Sequence, residues 1–253
     1  MEDAAAPHAD ITLYQRAGSE EVGNGPSYKG LRIHAFPEAH ERVGELIRKG
    51  LAPGSMVLDM ASGSGAMCLR LHDLGFSPTG CDMVSENFRL HGDIPFVALN
   101  LNLRLPTHLV GAFDGVVATD IIEHLENPRQ FLRECFHVLR PGGILLLSTP
   151  NVDSPYSKAL FIRTGNFHWF EESAYRNGGH ITPIPQRLLE RALDEAGFRE
   201  VRIESAVAQI PPGLRWWRMK LLAWMVGLAA GADAPRGQTL IVEAKRSAEF
   251  PDA

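Results

Sequence analysis

The sequence predicts a doubly wound α/β fold: an open, mostly parallel sheet of seven strands with helices on both faces. Three observations predict it. Short apolar runs alternate with amphipathic helical stretches along most of the chain, the order that builds a parallel sheet covered on both sides. The stretch Met56-Val-Leu-Asp-Met-Ala-Ser-Gly-Ser-Gly65 passes from apolar run to acid, to small-residue loop, to helix pattern. That order makes a ligand pocket at the carboxyl edge of such a sheet. Residues 113–118 and 144–148 are apolar almost without interruption, as strands buried on both faces are.

The elements follow in order. Residues 1–30 are polar and aperiodic, and they read as a mobile arm or a substrate-side flap before a single domain over 31–253. A helix is expected over 37–49, with Val43, Leu46 and Ile47 on one face and Gly50 ending it. Pro53 and Gly54 turn the chain into the first strand, 56–60. A helix over 66–74 closes at Gly75, and strands follow at 77–82 and 96–100. After the strand 113–118, Asn127 and Pro128 cap and start a helix whose apolar face is Phe131, Leu132, Cys135, Phe136 and Leu139. Pro141, Gly142 and Gly143 are expected to stop it before the strand 144–148. Residues 150–184 read as an irregular, aromatic-rich acceptor cap. A helix over 185–196 and strands over 199–205 and 238–244 complete the domain, with an apolar helix inserted at about 213–231.

Composition narrows the function. The chain has 253 residues, 45% hydrophobic and 22% charged, which suits one well-packed domain with additions. A net charge of -5 weighs against a nucleic-acid partner, which leaves a basic footprint. Cys68, Cys81 and Cys135 have no metal-ligand spacing and read as reduced core thiols of a cytoplasmic protein. The first residues lack the pattern of a signal peptide, and no apolar run reaches the roughly 20 residues a bilayer span needs.

The glycine loop indicates the ligand class. Gly63 and Gly65 allow close backbone approach. A dinucleotide fingerprint would place a third glycine at position 68, where the chain has Cys68, and no phosphate-cradling Gly-Lys-Ser/Thr follows. A carboxylate at Asp59 would repel a pyrophosphate but suits a cationic ligand. Asp82 ends the second strand, where a carboxylate can accept both hydroxyls of a ribose. Asn100 and Asn102 end the third strand, within reach of an adenine edge, and Thr119 and Asp120 end the fourth.

Six segments, in this order over roughly residues 55–200, resemble the class I S-adenosylmethionine-dependent methyltransferases. The branch is the small-molecule one that includes ubiquinone-biosynthesis O-methyltransferase-like proteins. The segments are Val57 to Gly65, Gly80-Cys-Asp82, Asn100-Leu-Asn102, and Phe113 through Ile121-Ile-Glu-His-Leu-Glu-Asn-Pro128. Leu139 to Pro150 and Gly179-His-Ile-Thr182 leading to Ala196-Gly-Phe198 complete the set. The resemblance implies a seven-stranded sheet with an antiparallel last strand, and S-adenosylmethionine as cofactor. It implies that Asp59, Ala61 and the backbone of Gly63 and Gly65 hold the methionine end, and that Asp82, with Met83 beside it, binds the ribose. Asn100 or Leu101 would border the adenine and Thr119 would line the pocket near the sulfonium. Two positions depart from the pattern: Ala61 replaces the family's first glycine, and Asn100 stands where an Asp is usual, which removes a charge-assisted bond to the adenine amine.

Methyl transfer to a hydroxyl needs a base. His124, after the fourth strand, and His180, on the same rim, are the candidates, because histidine titrates near neutrality. His168, among Phe167, Trp169 and Phe170, reads as part of a lid or pocket wall. Glu123 beside His124 has no further ligand at convincing spacing, so no metal is expected. Between the last two strands, Leu214, Trp217, Leu221, Trp224, Met225 and Leu228 share a helical face, with Arg215, Arg218 and Lys220 at its start. Tryptophans beside cations suit a helix lying in a lipid interface, and a lid or homodimer helix has the same pattern. The expected reaction is O-methylation of a small-molecule or lipid-linked acceptor, with peripheral contact through 214–230 at the inner membrane face. An NAD(P)-dependent oxidoreductase and a non-catalytic binding protein on the same fold are the rival readings.

Overall fold

The computed structural model describes residues 25–206, 217–230 and 235–248. Most of the 1–30 arm therefore lies outside the described residues. So do Leu214 and Arg215. From residue 25 onward the arm is not irregular: β1 (Ser27–Tyr28) and β2 (Leu31–Arg32) form a short antiparallel hairpin.

The sheet elements are β3 (Met56–Met60), β4 (Ser77–Asp82), β5 (Phe96–Ala98), β6 (Phe113–Thr119), β7 (Leu139–Pro150), β8 (Phe198–Ala206) and β9 (Thr239–Arg246). They form a seven-stranded sheet in the order β5-β4-β3-β6-β7-β9-β8. Pairing is parallel from β5 through β7, and β9 runs antiparallel to both β7 and β8. The chain moves outward from β3 to β5 and then crosses to the other side of β3 at β6. The order reverses between β3 and β6, so the loops that follow these two strands face one crevice.

Strand alternation sends side chains to two cores. On one face, Val57, Val117, Leu146 and Ile241 pack with Ala39, Val43 and Ile47 of α1 (Pro37–Gly50) and with Met67 and Leu71 of α2 (Ala66–Asp73). On the other, Leu58, Met60, Val116, Leu145 and Val242 meet Phe131, Leu132, Cys135 and Phe136 of α3 (Pro128–Val138). Leu189 and Leu193 of α5 (Gln186–Ala196) join them there. Asn127 caps α3 as expected, its side chain accepting from Gln130 N at 2.9 Å. The three cysteines are buried and free.

Two expectations need correction. Pro141, Gly142 and Gly143 do not separate helix from strand: β7 already begins at Leu139. The glycines lie at a register shift, where Phe113 pairs with Leu139 but Gly115 pairs with Ile144. A Cβ on Gly143 would stand 2.9 Å from two backbone oxygens. The 150–184 segment is also not irregular throughout. It contains α4 (Pro155–Thr164) and a π-helical turn, Ala174–Gly178. Ser154 caps α4 by accepting from Ser157 N, Pro155 opens it and Gly165, left-handed at φ 80°, closes it. Its apolar residues spread around most of the circumference, so it lacks the one-sided stripe that marks a surface helix. The inserted helix is α6 (Trp217–Ala230), which packs on α4 through Met219 and Ala223. No helix among the described residues is long and apolar enough to cross a membrane.

Candidate active site

Register places the sequence candidates on one rim. Met60 pairs with Cys81, Asp82 with Ala98, and Asp59 with Val117. One or two residues further along, Ala61, Asp82, the chain leading to Asn100 and Leu101, and Thr119 stand level across four adjacent strands.

The glycine loop is held by backbone bonds. Ser62 N donates to Cys81 O at 2.9 Å and Gly65 N to Ser62 O at 2.8 Å. Asp82 ties the loop to its own strand end: Oδ2 accepts from Gly63 N and Oδ1 from Val84 N, both at 3.0 Å. Each oxygen keeps a further lone pair, so two backbone donors fix the carboxylate in place and leave it able to accept a pair of hydroxyls. Ala61, Gly63 and Gly65 all have positive φ, at 62°, 50° and 92°. Gly65 is required for a reason the sequence did not show. A Cβ there would stand 2.9 Å from Phe88 and 3.0 Å from Leu90. The glycine thus admits protein side chains beneath the loop. On the outer side, Ser64 Oγ donates to Arg32 O at 2.7 Å, and a Cβ on Gly63 would lie 3.1 Å from the ring of His34. The hairpin segment therefore docks on the loop.

Asp59 lies under the loop, 1% exposed. Its Oδ2 accepts from the Cys68 thiol at 3.2 Å. Burial pushes its carboxyl up to about 7; the Cys68 bond opposes the shift and the charge of Asp82 adds to it. Position 68, where a dinucleotide loop would have glycine, thus supplies the partner that anchors the motif's acid. In this geometry Asp59 supports the loop from below. Asn100 Oδ1 accepts from Asn102 N at 3.0 Å, and Asn102 Oδ1 from Glu126 N at 2.9 Å, which ties the third strand's end to the segment after β6. Leu101 is buried and Thr119 half-buried.

The segment after β6 builds the other side of the crevice. Asp120 is left-handed at φ 47°. Its Oδ1 accepts from Ser148 Oγ at 2.6 Å and its Oδ2 from Phe36 N at 3.3 Å. Burial raises its carboxyl above the ordinary aspartate range. Glu123 is fully buried: Oε2 accepts from Thr149 Oγ1 at 3.1 Å and Oε1 has no partner among the described residues. Burial, and then the charge of Asp120, lift its carboxyl well above the usual range. Its backbone carbonyl accepts from Ile181 N and Thr182 N at 3.0 and 2.9 Å, which docks the cap against this turn.

That docking brings His124 and His180 together, ring centroids 4.8 Å apart and nearly perpendicular. Burial lowers His124 to about 4, with hydrogen bonds to the backbone of Gly179, Asp120 and Gly178 opposing the shift. His180 is less enclosed. Its Nδ1 lies 2.7 Å from the carbonyl of Trp169. A carbonyl only accepts, so Nδ1 carries the proton and Nε2 of the neutral ring is the basic atom. Burial also lowers His180 below its ordinary value. Trp169 is itself left-handed at φ 71°, packs edge-on to Phe36 at 5.3 Å, and buries an Nε1 that has no partner among the described residues. His168 ties the cap internally, with its backbone N donating to Ser157 Oγ at 3.1 Å and its ring facing Glu171 at 3.3 Å.

The expectation of no metal rested on Glu123 and His124 alone. Folding adds His180, and the three offer one ligand atom each, all within 4.8 Å of one another. Sequence reasoning also did not anticipate Ser148, which orients Asp120, or the Trp169 carbonyl, which orients His180. A backbone carbonyl leaves no trace in residue type.

Comparison with known proteins gives a consistent result. Residues 31–203 match the model of a family described as a methyltransferase domain. A ubiquinone biosynthesis O-methyltransferase of Dinoroseobacter shibae is 29% identical over 156 residues, covering 58% of this chain and 61% of that protein. The mitochondrial ubiquinone biosynthesis O-methyltransferase of Rattus norvegicus is 32% identical over 108 residues, covering 39% of this chain and 31% of that one. The chain thus spans less than two thirds of the length of these relatives. A crystal structure of a SAM-dependent methyltransferase from Archaeoglobus fulgidus superposes with a TM-score of 0.55 at 18% identity, covering 82% of this chain and 94% of that one. At that identity the likeness concerns the fold.

Proposed function

We infer the function from the family: this chain belongs to the class I S-adenosylmethionine-dependent methyltransferases, matched over residues 31–203. We propose that it methylates an oxygen of a small-molecule or lipid-linked acceptor. The site fits the cofactor in one decisive respect. Both oxygens of Asp82 are aimed by backbone N–H groups and keep lone pairs for a ribose diol. In this reading Asp59 supports the loop, Ala61, Gly63 and Gly65 border the methionine end, and Met83, Asn100, Leu101 and Thr119 line the adenosine side. When bound, S-adenosylmethionine supplies an electrophilic methyl on a good leaving group, so the protein mainly aligns the reactants.

The single observation that carries the oxygen assignment is the His180–Trp169 hydrogen bond. It fixes the tautomer that leaves Nε2 to take the proton of an acceptor hydroxyl. His124, packed against His180 and lower in basicity, shapes the ring's position. The similarity to ubiquinone biosynthesis O-methyltransferases supports the same acceptor atom. The setting proposed is cytoplasmic, with no nucleic-acid partner. The test is labelled methyl transfer from S-adenosylmethionine into a panel of phenols and polyprenylated phenols. The parent is expected to label hydroxyl-bearing members, and His180→Ala to lose that labelling while still binding the cofactor. Labelling of amines in preference to hydroxyls would overturn the oxygen assignment.

A second reading has its own observation. Glu123 Oε1 is buried without a partner among the described residues, beside two neutral imidazoles. A divalent cation held by Glu123, His124 and His180 would acidify the acceptor hydroxyl in place of a base. Loss of activity on chelation, restored by a divalent metal, would favour it.

A further inference from the structure

We propose that α6 is a membrane-docking helix, lying in the headgroup layer of an anionic bilayer. The helix has two apolar faces. Met219 and Ala223, buried, pack with Leu222 and Val226 on Tyr156, Ala159 and Leu160 of α4. On the opposite side Trp217, Leu221, Trp224, Met225 and Leu228 are between 47% and 64% exposed. At 3.6 residues per turn these five fall within about a third of the circumference, so they make one stripe. A helix apolar on all sides needs a second apolar surface against it.

Charge identifies the surface. Arg218 and Lys220 flank the stripe, one on each border, by the same helical geometry. The Arg218 guanidinium lies over the Trp217 ring, 5.3 Å from its centroid. Neither α6 nor α4 carries a single carboxylate, in a chain whose net charge is -5. Arg163 of α4 adds to the same sign, whereas Lys158 is paired with Asp153 at 3.0 Å. Tryptophans with cations at the border of an apolar stripe match the layered chemistry of a lipid interface: ring at headgroup level, cation on the phosphates. A second copy of the chain fits poorly. A symmetric contact through this stripe would set Arg218 and Lys220 against the same cations, with no acid on either helix to meet them. Fourteen residues make a helix of about 21 Å, too short to span the hydrocarbon core, so the helix lies along the surface.

The proposal does not depend on methyl transfer, and its test does not use it. The full chain is floated with vesicles of phosphatidylcholine alone and with vesicles that also contain phosphatidylglycerol. The expected result is flotation with the anionic vesicles, weakened by added salt, together with a blue shift of tryptophan emission. Trp224→Ser combined with Leu228→Ser should reduce vesicle affinity by about tenfold or more. Arg218→Glu with Lys220→Glu should abolish the preference for phosphatidylglycerol. Trp224, Leu228 and Arg218 are exposed and Lys220 is half-buried at the edge of the stripe, so both variants should keep the parent's circular dichroism and cofactor affinity. Failure of the parent to float with anionic vesicles would overturn the proposal, as would equal flotation of parent and serine variant. So would a parent dimer that the serine variant dissociates without any lipid binding.

Discussion

On the cofactor side of the rim, Asp82 has both oxygens met by backbone N–H groups, and the glycine loop is closed by its own hydrogen bonds. On the acceptor side, Glu123 Oε1 and Trp169 Nε1 are buried without partners among the described residues, and Asp120 and Trp169 hold left-handed backbones. The first half is organised before any ligand arrives. The second keeps unpaired polar atoms and strain, which persist in folded proteins where surrounding structure over-determines them, and cluster at sites that bind or react. The one strained residue of the cofactor side, Ala61, stands where the family has glycine.

Substitutions can break this contrast, and the largest effect belongs to the loop. Gly65→Val combines a positive φ with a Cβ 2.9 Å from Phe88 and 3.0 Å from Leu90. It should destabilise by roughly 2–4 kcal/mol and abolish cofactor binding, as read by thermal melts and calorimetry. On the acceptor side, His180→Ala should lower kcat by about 10²–10⁴ and leave cofactor affinity unchanged, separating the halves cleanly. Because burial holds His180 below its ordinary value, the parent's kcat should rise with pH below about 6.5 and be flat above it. A profile still rising well above neutrality would contradict that base.

Asp59 tests the buried support of the loop through stability. Its folded value of about 7 lies above the ordinary aspartate range. The contribution of Asp59 to stability is therefore fully present below the unfolded value, near 4, and is lost as pH rises to about 7, where the loss levels off. Asp59→Asn should remove a slope worth a few kcal/mol across that window, measured by denaturant midpoints. The smallest effect is expected of Ala61→Gly. Relief of the left-handed backbone should raise stability by about 0.5–1 kcal/mol, net of the entropy glycine adds to the unfolded chain. A loss of stability would mean that the φ of 62° carries no strain.

What could be read from the sequence divides along the same line. β3 and β4 have the ends expected, because the apolar run of β3 is closed by Asp59 and the glycine loop, and β4 is framed by the turn at Gly75 and by Asp82. The antiparallel last strand and the two-faced sheet followed from the strand-helix alternation and the resemblance together. The cap resisted. α4 carries good end signals in Ser154, Pro155 and Gly165, but its apolar residues divide between the contact with α6 (Tyr156, Ala159, Leu160) and exposed positions (Phe161, Ile162), so no stripe announced it. His180 met Glu123 only through the docking of Ile181 and Thr182 on a turn distant in sequence, and the Trp169 carbonyl is invisible to any pattern of side chains. The strands bury through local periodicity; the acceptor site is assembled by long-range contacts.

The central claim is that the Asp82 rim binds S-adenosylmethionine. Isothermal calorimetry of the parent and of Asp82→Ala, both checked for folding by circular dichroism, tests it most directly. Saturable binding at one site per chain is expected for the parent, weakened by about 2–4 kcal/mol in the variant, the scale of two hydrogen bonds to a charged acceptor. A folded parent that takes up no S-adenosylmethionine, or a variant that binds it as tightly, would contradict the claim.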